Sequence, residues 1–131
     1  MYTPWGKSDG SSVLATGIVS YDTERHGGWH LSRKHTAQLW SVGVRYQDSF
    51  LYDLRWWEED CDYAVPLLVF AKDINAAGNV NVEKMRRAVV TMYDYKPELF
   101  ARLQASGALK DAEAIMGETV TSIIERERGA Q

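Results

Sequence analysis

The chain has little cysteine and proline and no long apolar run. Its 131 residues contain one cysteine, Cys61, and three prolines. A single cysteine excludes an internal disulfide and therefore a disulfide-stapled secreted scaffold. The longest apolar run, residues 64–71, is far shorter than the roughly 20 residues that cross a bilayer. No signal-peptide pattern begins the chain, so we expect no membrane association and a cytoplasmic location.

Familiar catalytic motifs are also missing. The sequence has no Gly-rich phosphate loop, no serine nucleophile elbow and no HExxH pattern, which are the short motifs with the clearest mechanisms. We expect no cofactor. The net charge is −3, from 15 basic and 18 acidic residues, and this balance argues against direct nucleic-acid binding.

What the sequence does have is a strong difference between its two halves. All five tryptophans lie at or before residue 57, whereas the rest shows helical periodicity. The overall composition, 45% hydrophobic and 25% charged, is that of an ordinary folded protein. We predict one domain over residues 1–131, with a strand-rich part at 1–74 and a helical part at 80–128.

Strands and one short helix are predicted in the first half. Residues 16–21 and 29–31 have strand character, and Gly27 and Gly28 would supply positive φ angles to a tight connection before the second strand. Ser32 is a good N-cap for a helix over residues 33–40. Residues 50–57 are predicted as a third strand.

Helices are predicted in the second half. One would begin at Glu58 and either kink at Pro66 or stop there and continue as a buried strand over 67–70. Asn81 would cap the next helix, and Pro97 and Gly107 would bound a third. A last helix over 109–127 would be weakened by Gly117. The prediction is an α+β fold, in which a small antiparallel sheet packs against three to four helices.

Four carboxylates in five residues form the most acidic stretch: Glu58, Glu59, Asp60 and Asp62. On a helix Glu58 and Asp62 would share one face and repel each other unless a cation lay between them. The stretch is either a solvated helix start, an acidic patch that meets a basic partner surface, or half of a divalent-cation site.

Two histidines flank the glycine pair, in His26-Gly-Gly-Trp-His30. Imidazoles can ligate a metal or act as a general base. A zinc site needs a third and a fourth ligand, for which the candidates are Glu58, Glu59, Asp60 and Asp62. The alternative is that His26 and His30 only make local hydrogen bonds within a hairpin.

Exposed aromatic side chains often anchor binding surfaces. The candidates are Trp5, Trp29, Trp40, Trp56, Trp57 and Tyr52. Neighbouring residues of an extended segment point to opposite faces, so one of Trp56 and Trp57 should be exposed. We predict a partner-binding surface formed by Trp57, Trp29 and the four carboxylates.

Four motifs occur in a characteristic order: Thr3-Pro-Trp-Gly6, residues 16–21, His26-Gly-Gly-Trp-His-Leu-Ser32, and Trp57-Glu-Glu-Asp-Cys-Asp-Tyr-Ala64. In this order they resemble an uncharacterised family of small proteins and domains carried by phages and plasmids. The resemblance covers about residues 1–70 and makes Trp5, Gly27, Gly28 and Ser32 structural motif residues. The chain departs from it at Trp57, where the family commonly has tyrosine, and at Tyr63, where it commonly has tryptophan.

The resemblance implies a mobile-element accessory protein in the bacterial cytoplasm. Such proteins often bind host proteins, so we expect a non-enzymatic inhibitor of a host-defence complex, of the anti-CRISPR or anti-restriction type. Its acidic surface would steer binding and an aromatic side chain would anchor it. The alternatives are a small metal-dependent hydrolase using His26 and His30 with Glu59 or Asp60, and a scaffold protein that forms a homodimer through its C-terminal helices.

Overall fold

A computed structural model describes residues 1–129 and divides the chain into two compact units, residues 1–63 and residues 64 onward. Among the described residues, all strands lie in the first unit and all α-helices but one lie in the second; the first unit also contains a short 3-10 helix, Tyr46–Asp48. The predicted α+β class is confirmed. The single domain over residues 1–131 stays a prediction, and its last two positions lie outside the described residues.

The six strands are short. They are β1 (Tyr2–Thr3), β2 (Gly6–Lys7), β3 (Gly10–Ala15), β4 (Ile18–Asp22), β5 (Gly27–Leu31) and β6 (Trp56–Glu58). The helices are α1 (Arg33–Ser41), α2 (Ala64–Val69), α3 (Ala71–Ala76), α4 (Val82–Tyr95), α5 (Pro97–Ser106), α6 (Lys110–Met116) and α7 (Val120–Arg128). Within residues 1–129, none of these helices combines the length and apolar character that a membrane crossing requires.

The first unit is built on a four-stranded antiparallel sheet in the order β3-β4-β5-β6, and β1 and β2 form a separate hairpin. The two strands predicted near 16–21 and 29–31 are confirmed as β4 and β5. The predicted strand over 50–57 is wrong for most of its length, because residues 50–55 form turns and only the last two predicted residues belong to β6. One of these turns holds Tyr52 at a φ of 54°.

The sheet is covered on both faces at β6, and this corrects the prediction for the tryptophan pair. Trp56 and Trp57 are neighbours in β6 and point to opposite faces, yet their exposed fractions are only 8% and 0%. The ring of Trp5 packs edge-on against Trp56, with centroids 5.7 Å apart, and so covers the second face. The expectation that one of the pair is exposed assumed a sheet with one open face, and it is wrong.

Gly27 and Gly28 lie inside β5 rather than in a turn, and neither has a positive φ. Glycine is needed at both positions because atoms of neighbouring residues lie too close for a side chain. A side chain at Gly28 would overlap the ring of Trp5 and lie 2.7 Å from the carbonyl oxygen of Trp57. A side chain at Gly27 would lie 2.6 Å from the carbonyl oxygen of Tyr21. The prediction that the pair forms a tight connection is therefore wrong.

Helix α1 begins as predicted. The side chain of Ser32 accepts a hydrogen bond from the backbone N–H of His35, which is the N-cap interaction. The Ser32 hydroxyl also lies 2.7 Å from Nδ1 of His35, whose ring is buried. Leu39 is the other buried residue of the helix, whereas Ala37 and Trp40 are exposed.

In the second unit α4 is central and contacts α2, α5, α6 and α7. Asn81 caps α4, and Pro97 begins α5 while Gly107 ends it in the left-handed conformation, all as predicted. The predicted last helix is instead two helices. Gly117 ends α6 at a φ of 69°, and Thr119 caps α7, so this glycine is a stop rather than a weak helical position.

Residues 58–63 do not form the predicted helix. Glu58 ends β6, turns follow, and α2 begins only at Ala64. Pro66 is the third residue of α2, and in a first turn its missing N–H has no helical partner to lose. Residues 67–69, for which the sequence allowed either a helix or a strand, are therefore helical. The helix is interrupted at Phe70, between α2 and α3.

Candidate functional site

Two of the four predicted acidic residues are used by the fold. Oε1 of Glu58 accepts hydrogen bonds from the backbone N–H groups of Cys61 and Asp62, at 2.5 and 3.2 Å. The Asp62 side chain is 2% exposed and accepts from the backbone N–H of Phe50 at 2.7 Å. These carboxylates hold the turn after β6 and the loop at Phe50, so they are not available to a partner in the way that was predicted.

Glu59 and Asp60 remain exposed and lie near His26, which is also exposed. One ligand atom from each of the three lies within 4.8 Å of the others. We call these residues the His26 cluster. His30, the predicted second imidazole, is not part of it, which separates the two histidines that the hydrolase alternative combined.

His30 lies instead in β5, against the ring of Trp56 with centroids 4.6 Å apart. Burial lowers the pKa of His30 below its usual 6.5, the nearby Arg55 guanidinium lowers it further, and Asp53 partly opposes them. The neutral imidazole is thus favoured in the folded protein.

We expect the His30 imidazole to titrate below pH 6.5 in an NMR experiment that follows its ring protons. Because the unfolded chain takes up this proton first, the contribution of His30 to stability falls as the pH drops below about 6.5. A His30 midpoint at or above 6.5 would contradict the lowered pKa that follows from its partial burial and from the nearby Arg55.

The predicted aromatic anchors are core residues. Trp29 is 5% exposed and packs near Tyr63, with ring centroids 6.1 Å apart. Trp57 is fully buried, and its indole N–H donates to the carbonyl of Leu54 at 2.8 Å. The prediction that these two tryptophans present a binding surface is therefore wrong, because both side chains are buried.

An exposed aromatic pair is present elsewhere in the first unit. Trp40, at the end of α1, and Tyr46 are 44% and 57% exposed, with ring centroids 5.5 Å apart. The Arg45 guanidinium lies 3.9 Å from the Trp40 ring centroid and donates to the backbone carbonyls of Trp40 and Val44. These contacts favour this orientation of the exposed Trp40 ring.

This pair lines a groove of about 590 Å³, which we call the Trp40 groove. Its charged and polar lining includes His30, Arg33, Thr36, Asp53 and Arg55. Arg55 is paired bidentately with Asp53, with the closer N–O distance 2.8 Å, and this hydrogen bond lowers the pKa of Asp53. Arg33 adds a further positive charge, so the lining is positive on balance.

Sequence reasoning included Trp40 among the aromatic candidates but not the residues around it. The structure shows that Leu39 and His35 form the buried face of α1, and Trp40 follows Leu39 by one residue. A tryptophan beside such a face, rather than on it, points away from the core.

A second groove, of about 630 Å³, lies in the second unit along α4 and α7. Three of its arginines form ion pairs: Arg86 lies 2.5 Å from Glu83, Arg126 pairs with Glu118, and Arg128 lies 2.5 Å from Asp94. The groove contains four arginines and four carboxylates. Such balanced ion pairs fit a helix-to-helix contact better than a site for a charged ligand.

Comparisons with curated proteins and with solved structures found no match to this chain. Comparison with protein families did: residues 1–122 match the family DUF7007, described as a domain of unknown function. The match includes both units and extends beyond the residues 1–70 that carried the resemblance. The chain therefore belongs to the DUF7007 family.

Proposed function

We propose that this DUF7007 protein acts by binding another protein and that the partner docks in the Trp40 groove. The observation that carries the proposal is the exposed Trp40–Tyr46 pair, which Arg45 holds in place. Tryptophan, tyrosine and arginine are the residue types that most often dominate binding energy at protein interfaces.

The charges of the groove suggest the chemistry of the partner segment. Arg33 and Arg55 face one carboxylate, Asp53, which Arg55 already engages. A segment that places an apolar or aromatic side chain on Trp40 and a carboxylate near Arg33 would complement this lining. Phe50, Leu51 and Tyr52 are also exposed in the same unit.

The proposed partner is a host protein, and the proposed setting is the bacterial cytoplasm. The resemblance to phage- and plasmid-borne proteins supports both, and inhibition of a host-defence complex is the role that we propose within that setting. The predicted acidic surface is reduced in this proposal to Glu59 and Asp60, because Glu58 and Asp62 bind backbone N–H groups.

The test begins with affinity capture from the natural host, identification by mass spectrometry and purification of the captured protein. Its affinity is then measured for the unmodified chain, for Trp40→Ala and for Tyr95→Ala. Tyr95 is a matched control, because it is an aromatic residue 69% exposed in the second unit.

We expect Trp40→Ala to raise the Kd at least about tenfold, as a residue at the centre of an interface does, and Tyr95→Ala to leave it unchanged. Equal affinities of the unmodified chain and Trp40→Ala would refute the proposal. Recovery of the chain itself as the captured protein would also refute it and would favour the homodimeric scaffold.

A further inference from the structure

We infer that the His26 cluster is a binding site for one divalent transition-metal ion such as Zn²⁺ or Ni²⁺. The cluster offers one imidazole nitrogen and two carboxylate oxygens, all within 4.8 Å of one another. All three side chains are exposed, so an ion can reach them directly from solvent.

Strand pairing places these side chains together. β5 and β6 are antiparallel, with Gly28 opposite Glu58, and the backbone N–H of Glu59 donates to the carbonyl of Gly27 at 3.0 Å. The residue before β5 and the residues after β6 therefore meet at the same end of the sheet. His26 is that preceding residue, and Glu59 and Asp60 are those that follow.

Hydrogen bonds with Thr23 also hold the backbone at His26. The N–H of Thr23 donates to the carbonyl of His26 at 2.8 Å, and the N–H of His26 donates to the Thr23 hydroxyl at 3.1 Å. Between the ligands, Gly27 leaves space for a carboxylate: a Cβ there would lie 2.8 Å from Oε2 of Glu59. The absence of this side chain lets the Glu59 carboxylate lie against the backbone beside His26.

The ligand types favour a transition metal over calcium or magnesium. Imidazole nitrogen is a preferred ligand of zinc and nickel, whereas calcium and magnesium take oxygen ligands. Ligand atoms bound at about 2.1 Å to a tetrahedral ion lie about 3.4 Å apart. Exposed side chains reach that spacing from 4.8 Å by small rotations, and water completes the coordination.

The two carboxylates also gain from the ion, because a cation between them removes their mutual repulsion. Bound metal would join the turn at 23–26 to the end of β6. None of the three residues lines the Trp40 groove, so this inference and the proposed function can fail independently.

Isothermal titration of tag-free protein with ZnCl₂ and NiCl₂ tests the site, with CaCl₂ and MgCl₂ as comparisons. The variants are His26→Ala, Glu59→Gln and Asp60→Asn, each checked for folding by circular dichroism. Glu24→Gln is the matched control, because it removes a nearby carboxylate that is not part of the cluster.

We expect saturable binding of one ion per chain, at least about tenfold weaker in each cluster variant and unchanged in Glu24→Gln. Calcium should bind at least about tenfold more weakly than zinc. Acidification should release the ion, because protons compete for the ligand atoms. An unmodified chain without saturable binding, or a His26→Ala variant with unchanged affinity, would overturn the inference.

Cys61 follows the cluster directly, so its thiol must be tested as a competing ligand. Cys61→Ser should bind zinc with unchanged affinity. When Co²⁺ is bound in place of zinc, the absorption spectrum of the unmodified chain should show no thiolate charge-transfer band. A large loss of affinity in Cys61→Ser would overturn the proposed ligand set.

Discussion

Replacing Trp57 by alanine should destabilise the first unit by about 3–5 kcal/mol, the cost of removing a large buried aromatic side chain. Trp57 is fully buried, and its indole N–H donates to the carbonyl of Leu54. The substitution opens a large cavity and leaves that carbonyl without its donor. This is a large fraction of the roughly 5–15 kcal/mol by which such proteins are stable.

Urea denaturation followed by circular dichroism measures the effect. If Trp57→Ala does not fold, Trp57→Phe keeps most of the ring volume and should still lower the free energy of unfolding by about 1–3 kcal/mol. Trp40→Ala is the matched control, because Trp40 is exposed, and it should cost about 1 kcal/mol or less.

The same experiment separates two accounts of the tryptophan pair. If Trp57 were a surface anchor, as the sequence predicted, its removal would weaken partner binding and leave stability nearly unchanged. A Trp57→Ala protein as stable as the unmodified chain would contradict the buried position in β6.

Gly28→Ala should destabilise the protein by about 1–3 kcal/mol, the usual cost of adding a methyl group to a filled space. The new Cβ would overlap the Trp5 ring and lie 2.7 Å from the carbonyl oxygen of Trp57. The ring can move, but the carbonyl belongs to the paired strand β6. Either Trp5 leaves the sheet or β5 and β6 separate locally.

Gly10→Ala provides the control for this substitution. Gly10 lies in β3 of the same sheet, and a Cβ there has no atom within 4 Å. We expect its unfolding free energy to change by less than about 0.5 kcal/mol. Equal effects of Gly28→Ala and Gly10→Ala would mean that Trp5 does not pack on β5.

Elements with local signals were predictable from the sequence. Ser32 and Asn81 accept backbone N–H groups at the starts of α1 and α4, and Gly107 ends α5 in the left-handed conformation. In each case one side chain, or the lack of one, satisfies a helix end, so a few neighbouring residues contain the information.

Features that depend on distant contacts could not be predicted in this way. Gly28 resembles a turn glycine, but a glycine is needed there because the ring of Trp5, 23 positions earlier in the chain, occupies the space of a side chain. Glu58 resembles a helix start, but strand pairing extends through it and its carboxylate caps the following turn. Pairing and burial outweighed local propensity in both cases.

The candidate site was predictable only in part. The sequence predicts His26, His30 and Asp60 as ligands of one metal site; in the structure His26 and Asp60 lie close together with Glu59, and His30 is not part of this cluster. The many acidic residues at 58–62 favoured this stretch as the binding surface. The sequence does not show which of these carboxylates accept hydrogen bonds from backbone N–H groups. The Trp40 groove required knowledge of which side of α1 faces the sheet.

The most direct test of the proposed docking surface compares two variants against the same purified partner. Trp40→Ala removes the anchor of the groove, and the double variant Glu59→Lys, Asp60→Lys reverses the remaining exposed acids of the predicted surface. We expect Trp40→Ala to raise the equilibrium Kd at least about tenfold and the charge reversal to change it by less than about threefold. A charge reversal that abolishes binding, with Trp40→Ala bound as tightly as the unmodified chain, would contradict this account.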